Sequence, residues 1–129
     1  METSNKTILI VEDEADLREA LATALAYEGY TILQAGDGED GLKKAFESKP
    51  DLILLDIIMP KKDGLEVLKE IKSDDSMKDT KIIVMTVLDD LEKIAEVVES
   101  GGDEYIVKTD ITLEGIITKV AENLKAQEI

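Results

Sequence analysis

The sequence predicts an α/β domain: a doubly wound, five-stranded parallel sheet with helices on both faces. Three observations predict it. Short apolar runs alternate five times with stretches that carry apolar residues at helical spacing. One run, Leu52-Ile-Leu-Leu55, is apolar on both faces, as a central parallel strand covered on both sides must be. Four of the five runs stop on polar residues that carry chemistry, and open parallel sheets collect their chemistry beyond the carboxyl ends of their strands.

The first strand is Thr7-Ile-Leu-Ile-Val11, which ends on Glu12-Asp13-Glu14. From Asp16 onward Leu17, Ala20, Leu21, Ala24 and Leu25 form a helical stripe, and Gly29 stops the helix. Glu14 and Asp16 read as N-cap and first-turn acids favoured by the helix dipole. Thr31 to Leu33 is a weaker second strand, and Gly36-Asp37-Gly38 a turn. Asp37-Gly-Glu-Asp-Gly41 superficially resembles a calcium loop, but lacks the spacing to a terminal Glu and the flanking helix pair, so it too reads as a turn. The second helix spans about Glu39 to Glu47, with Leu42, Ala45 and Phe46 inward.

The third strand ends on Asp56, and a turn with Pro60 and Gly64 leads into a helix that buries Leu65, Leu68 and Ile71. A polar loop, residues 73–79, precedes the fourth strand, Lys81 to Met85, which ends on Thr86. The fourth helix, Asp90 to Glu99, carries Leu91, Ile94, Ala95 and Val98. Gly101-Gly102 leads to the fifth strand, Glu104 to Val107, ending on Lys108. The last helix, with Thr112 as candidate N-cap, shows Leu113, Ile116, Ile117, Val120 and Leu124 on one face. There is no internal repeat. The 129 residues form a single domain, with residues 6–126 as its ordered core. The tail Lys125 to Ile129 suggests no attached effector domain, and the sequence leaves open whether the chain stands alone or is cut from a longer regulator.

Composition narrows the function. With no cysteine, histidine or tryptophan, the chain has neither His-based acid–base chemistry nor a typical zinc site. Thirty acidic residues against fifteen basic ones, net charge −15, disfavour nucleic acid and anionic membranes. No run is long enough to span a bilayer and no apolar signal core opens the chain, so a cytoplasmic protein is expected.

In a sheet of order 2-1-3-4-5 the strand ends meet at the switch point between strands one and three. Glu12, Asp13, Asp56, Thr86 and Lys108 would then share one pocket. Clustered carboxylates repel one another unless a cation sits among them. An oxygen-only ligand set suits Mg²⁺, or Mn²⁺. With Lys108, such a cation would neutralise the oxygens of a transferring phosphoryl group, and Asp56 would act as the nucleophile and form an aspartyl phosphate.

The chain resembles the receiver domains of two-component response regulators over essentially its whole length. The matching pieces are Val11-Glu12-Asp13-Glu14, Leu54-Leu55-Asp56-Ile-Ile-Met-Pro60-Lys-Lys-Asp-Gly64, Val84-Met85-Thr86 and Gly101-Gly102-Asp103-Glu104-Tyr105-Ile-Val-Lys108. The resemblance implies the flavodoxin-like fold and a phosphoacceptor role. Asp56 would take a phosphoryl group from a phosphohistidine on a sensor histidine kinase or phosphotransfer protein. Asp13, Glu12 through water, Asp56 and the backbone carbonyl of Ile58 would hold the metal. Lys108 and Thr86 would contact the phosphoryl oxygens, and Tyr105 would be the aromatic switch that turns inward as Thr86 moves. Helix four, strand five and helix five would form the output surface for a downstream protein, or for a homodimer on phosphorylation. Such a domain catalyses its own phosphorylation and dephosphorylation without being a dedicated enzyme.

The sequence departs from the family pattern at three places. Thr109 follows Lys108 where the family has proline, and a cis bond there would cost about 2.5–4 kcal/mol, so a trans bond is expected. Asp110 also lies near enough to draw on the lysine. Val87 stands where the family has a small residue and would narrow access to Asp56. Ile58 and Leu88, both apolar, occupy positions that place or exclude water, so slow loss of the phosphoryl group is expected. Two other readings exist. A haloacid-dehalogenase-type phosphotransferase carries a second Asp two residues after its nucleophile, where this chain has Ile58. A pseudo-receiver, an interaction module that is not phosphorylated, predicts loss of an acid or the lysine, and all are present.

Overall fold

The computed structural model describes residues 6–57, 63–86 and 91–126, so the expectations at Ile58, Pro60, Val87 and Leu88 lie outside the described residues. Five parallel strands, β1 (Thr7–Val11), β2 (Thr31–Ala35), β3 (Leu52–Asp56), β4 (Lys81–Thr86) and β5 (Glu104–Val107), pair in the order β2-β1-β3-β4-β5, as expected. Five helices alternate with them: α1 (Ala15–Tyr27), α2 (Gly38–Ser48), α3 (Gly64–Lys72), α4 (Leu91–Glu99) and α5 (Leu113–Ala126). The reversal of strand order between β1 and β3 leaves a crevice at their carboxyl ends.

Period-two alternation sorts the strand side chains between two cores. Ile53 and Leu55 of β3 join Ala45, Leu68, Ile71 and Val97 from α2, α3 and α4 on one face. Leu52 and Leu54 join Leu21 and Leu25 of α1 and Ile116, Val120 and Leu124 of α5 on the other. All five β3 residues are buried, which is why this strand reads as an uninterrupted apolar run.

The helical stripes differ from expectation in detail. In α1, Ala22 is buried while Ala20 is exposed. In α4, Val97 faces the core while Val98 is 63% exposed and Ala95 faces outward; the side chain of Leu91 lies outside the described residues. Leu113 of α5 is also partly exposed, at 41%. In each case several phases of the 3.6-residue period fit the apolar positions, and packing against the sheet selects among them. The polar 73–79 loop holds a 3₁₀ turn, Asp75–Met77, and Met77 is fully buried.

Capping differs too. The Glu14 side chain makes no cap hydrogen bond; instead Glu12 Oε2 accepts from the Glu14 backbone N–H at 3.1 Å. Asp37 is the N-cap of α2, accepting from the Asp40 N–H at 2.8 Å, so the 37–41 segment is a helix start and not a free turn. Thr112 caps α5 as expected, accepting from the Gly115 N–H at 3.0 Å. Among the described residues no helix is long and apolar enough to cross a membrane.

Candidate functional site

Three carboxylates converge where β1 and β3 end. Glu12, Asp13 and Asp56 each offer an oxygen, and these oxygens lie within 4.8 Å of one another. Glu12 follows β1 and is fully buried; Asp56 closes β3 at 4% exposure; Asp13 is exposed. The register explains the convergence: Val11 pairs with Leu55, so the next residue on each strand is a carboxylate at nearly the same height.

Lys108 reaches this cluster from the end of β5. Its Nζ lies 2.7 Å from Glu12 Oε1 and donates to Asp56 Oδ2 at 3.1 Å. Asp110 is exposed and is not among the partners of Lys108, so the expected competition does not arise. No peptide bond is cis among the described residues, and Lys108-Thr109 opens a short 3₁₀ turn with an ordinary trans bond, as expected without proline.

The charges perturb one another. Burial pushes the Glu12 carboxyl above the usual carboxylate range; the Lys108 contact opposes this, and the charge on Asp56 adds to the rise. Burial would lower the Lys108 pKa, but its bonds to Glu12 and Asp56 and their negative charge outweigh that, and its pKa lies above the ordinary lysine value. Glu12 Oε1 is buried, and the Lys108 ammonium at 2.7 Å is the contact that offsets its charge. Three convergent carboxylates that share one ammonium keep an excess of negative charge, and their all-oxygen set fits a hard divalent cation.

Thr86 and Tyr105 share a sheet face. Tyr105 pairs with Val84, two residues before Thr86, so alternation sends both side chains toward the α2–α3–α4 side. Thr86 is fully buried, and Tyr105 is half-buried against the core on that face.

Two supporting residues were not legible as such. Arg18, the single arginine, donates from Nη1 to the Glu12 backbone carbonyl at 2.8 Å and from Nε to Gln34 Oε1 at 3.3 Å. It thereby ties the β1–α1 connection to β2. Its position one turn into α1, facing back toward Glu12, was the only available signal. Gly64, read as a turn residue, donates its N–H to the Ile57 carbonyl at 2.9 Å, and a Cβ there would sit 2.2 Å from the Asp56 carbonyl oxygen.

Comparison with known proteins agrees with this geometry. The family model described as the response regulator receiver domain matches residues 8–121. A response regulator receiver domain protein (CheY-like) from Methanospirillum hungatei superposes with a TM-score of 0.91 at 30% identity, covering 97% of this chain and 98% of that one. The alkaline phosphatase synthesis transcriptional regulatory protein PhoP of Bacillus subtilis is 41% identical over 81% of this chain. A probable transcriptional regulator ycf27 of Guillardia theta is 43% identical over 84% of it. The chain spans 41–42% of the length of these two curated relatives. Sequence, topology and the acidic strand-end cluster agree: the chain belongs to the response regulator receiver domain family of two-component signalling.

Proposed function

We propose that Asp56 accepts a phosphoryl group from a phosphohistidine of a sensor histidine kinase or phosphotransfer protein. The observation that carries this reading is the position of the Lys108 ammonium between Glu12 and Asp56, 2.7 and 3.1 Å from their carboxylate oxygens. A cation held there faces the developing charge on phosphoryl oxygens as the group arrives. An Asp56 carboxylate oxygen attacks phosphorus, the new P–O bond forms as the P–N bond breaks, and the imidazole leaves with its electron pair.

Glu12, Asp13 and Asp56, with the backbone carbonyl of Ile58, would hold Mg²⁺ or Mn²⁺. When bound, the metal supplies charge neutralisation for the phosphoryl oxygens. Thr86 meets the phosphoryl group from β4, and Tyr105, on the same face, follows its movement as the switch. The α4–β5–α5 surface carries the output to a downstream protein or a second copy of the chain. Val87 narrows access to Asp56, and Ile58 and Leu88 slow water attack. The domain acts in the cytoplasm as a signalling element and not as a dedicated enzyme.

The test is incubation with a small-molecule phosphoryl donor such as acetyl phosphate, with Mg²⁺, followed by intact-mass measurement. Addition of one phosphoryl group to the wild type, absent in Asp56→Asn, supports the reading. An unmodified wild type favours an interaction module that works without phosphorylation. Phosphoryl loss within seconds, with no partner present, would remove the assigned brake at Ile58 and Leu88.

A further inference from the structure

The opposite edge of the sheet holds a second concentration of charge, of the other sign. A groove of about 670 Å³ opens at the amino ends of β1, β3, β4 and β5, lined by Lys6, Lys49, Lys72, Lys78 and Lys81. Its acidic lining residues are Asp51, Asp79 and Asp103. Across the whole chain acids outnumber bases thirty to fifteen, yet here five lysines face three aspartates. The five residues of β3 separate this edge from Asp56 by about 17 Å.

Two of these lysines reach neutral oxygens, Lys49 with Asp74 close by and Lys72 beside Asp103. Lys49 Nζ lies 2.9 Å from the Ser76 hydroxyl, and Lys72 Nζ donates to the Thr80 carbonyl at 2.8 Å. Two of the aspartates are also committed to backbone. Asp51 Oδ2 accepts from the Thr7 N–H, and Asp103 Oδ2 from the Ile82 N–H, each at 2.8 Å. Asp103 is shared between Lys72 and Lys81 at 3.5 and 3.9 Å, both longer than a charge-assisted hydrogen bond. Asp51 and Asp103 therefore serve in part as strand-start clamps, and the ammonium groups, with three donors each, keep donors available to a ligand.

We propose that this groove binds a small anion carrying two or more phosphate groups. Ammonium point charges on flexible stems suit phosphate oxygens, and the volume lies within the range of small-molecule sites, roughly 300–1,000 Å³. The net charge of −15 selects for compactness. A long polyanion such as nucleic acid would run from the groove onto acidic surface and be repelled, whereas a diphosphate stays inside the local positive field.

The experiment is titration of the ¹⁵N-labelled chain with inorganic pyrophosphate, and separately with ATP, in excess EDTA so that no divalent metal recruits phosphate to the acidic edge. Saturable shifts of the Ser76, Thr80, Lys81 and Asp103 amides are expected, with the Asp56 and Thr86 amides unmoved. The double variant Lys49→Gln/Lys78→Gln, both exposed positions, should bind at least roughly tenfold more weakly, as loss of charge-assisted hydrogen bonds predicts. Lys43→Gln/Lys125→Gln removes the same charge at exposed positions outside the groove and should bind as the wild type does. Unchanged melting temperatures confirm that both doubles fold. Tighter binding of ATP than of pyrophosphate would show that the groove also accepts the nucleoside; equal binding would assign the affinity to the phosphates alone. The absence of saturable shifts with both ligands, shifts centred on Asp56, or equal weakening in the two double variants would overturn the proposal.

Discussion

Gly64 lies directly against the end of β3: a Cβ built on it would sit 2.2 Å from the Asp56 carbonyl oxygen and 2.6 Å from the Ile57 Cα. Both obstacles are backbone, so neither can swing aside as a flexible side-chain tip would. The first residue of α3 thus rests on the residue proposed to take the phosphoryl group.

Gly64→Ala is accordingly expected to destabilise the domain. Alanine in place of a helical glycine normally stabilises by about 1 kcal/mol, and the sign reverses here because the strand end or the helix must move. A net loss of about 1–3 kcal/mol, the usual cost of forcing atoms into filled space, should appear in urea unfolding. Amide shifts should concentrate at Asp56 and Ile57. A neutral or stabilising result would show that α3 can retreat freely from β3.

Lys108 is the only cation reaching the buried acid pair among the described residues. Its replacement in Lys108→Met leaves Glu12 and Asp56 facing each other in a site where burial and mutual charge already raise the Glu12 pKa. Removing one partner of a fully buried pair costs about 3–5 kcal/mol. The ammonium keeps some solvent contact, its side chain being 17% exposed, so about 1–3 kcal/mol is expected here. Added Mg²⁺ should narrow the gap between variant and wild type in denaturant unfolding, because the metal supplies the missing positive charge. An identical gap with and without Mg²⁺ would argue against metal at these carboxylates.

The strand ends of this site were legible because the chemistry is written in the order of residue types. An apolar run that stops on a carboxylate, hydroxyl or lysine announces a strand end, and the sheet order brings those ends together. Helix faces were less legible. Val97 and Val98 are chemically alike and adjacent, and only docking of α4 against Val84 and Gly102 decides which is buried. Arg18 and Gly64 were not legible as site residues, since their value lies in contacts to backbone carbonyls from distant elements. Backbone positions leave no trace in side-chain pattern. The lysine groove was missed for a related reason: its five lysines are scattered from position 6 to 81 and form no run.

Glu104 gives a pH dependence of definite sign. Its hydrogen bond from Lys119 holds its carboxyl below the ordinary glutamate value of 4.5, aided by Asn123, with the ion pair at 2.8 Å and the amide at 3.1 Å. A carboxyl that is depressed in the folded state contributes stability present above the unfolded value and lost as pH falls through the folded pKa. Glu104→Gln should therefore be less stable than wild type at neutral pH, and the difference should shrink to nothing in acid below 4.5. The raised Glu12 carboxyl works in the opposite sense, costing stability as pH rises from 4.5 through its folded pKa. Parallel urea titrations of the two proteins across acid pH check the Glu104 sign; a difference that grows on acidification would refute it.

Arg18 separates positioning from chemistry. It touches neither Asp56 nor Lys108, but its Nη1 holds the carbonyl of Glu12 at 2.8 Å, and its Nε fixes the same connection to Gln34. Loss of a hydrogen bond from a charged donor costs about 1.5–3 kcal/mol when the partner stays buried, and Arg18 is half-buried, so Arg18→Ala should lose about 1–2 kcal/mol. The Glu12 carboxylate would then sample more orientations, and affinity for Mg²⁺ should fall several-fold. Arg18→Lys retains a donor for one carbonyl but not the two-pronged geometry that ties both elements, and should recover part of the stability and little of the metal affinity. Metal titration followed by amide shifts at Asp13, alongside urea unfolding, distinguishes the two effects. A variant that loses stability with unaltered Mg²⁺ affinity would reduce Arg18 to a structural tether.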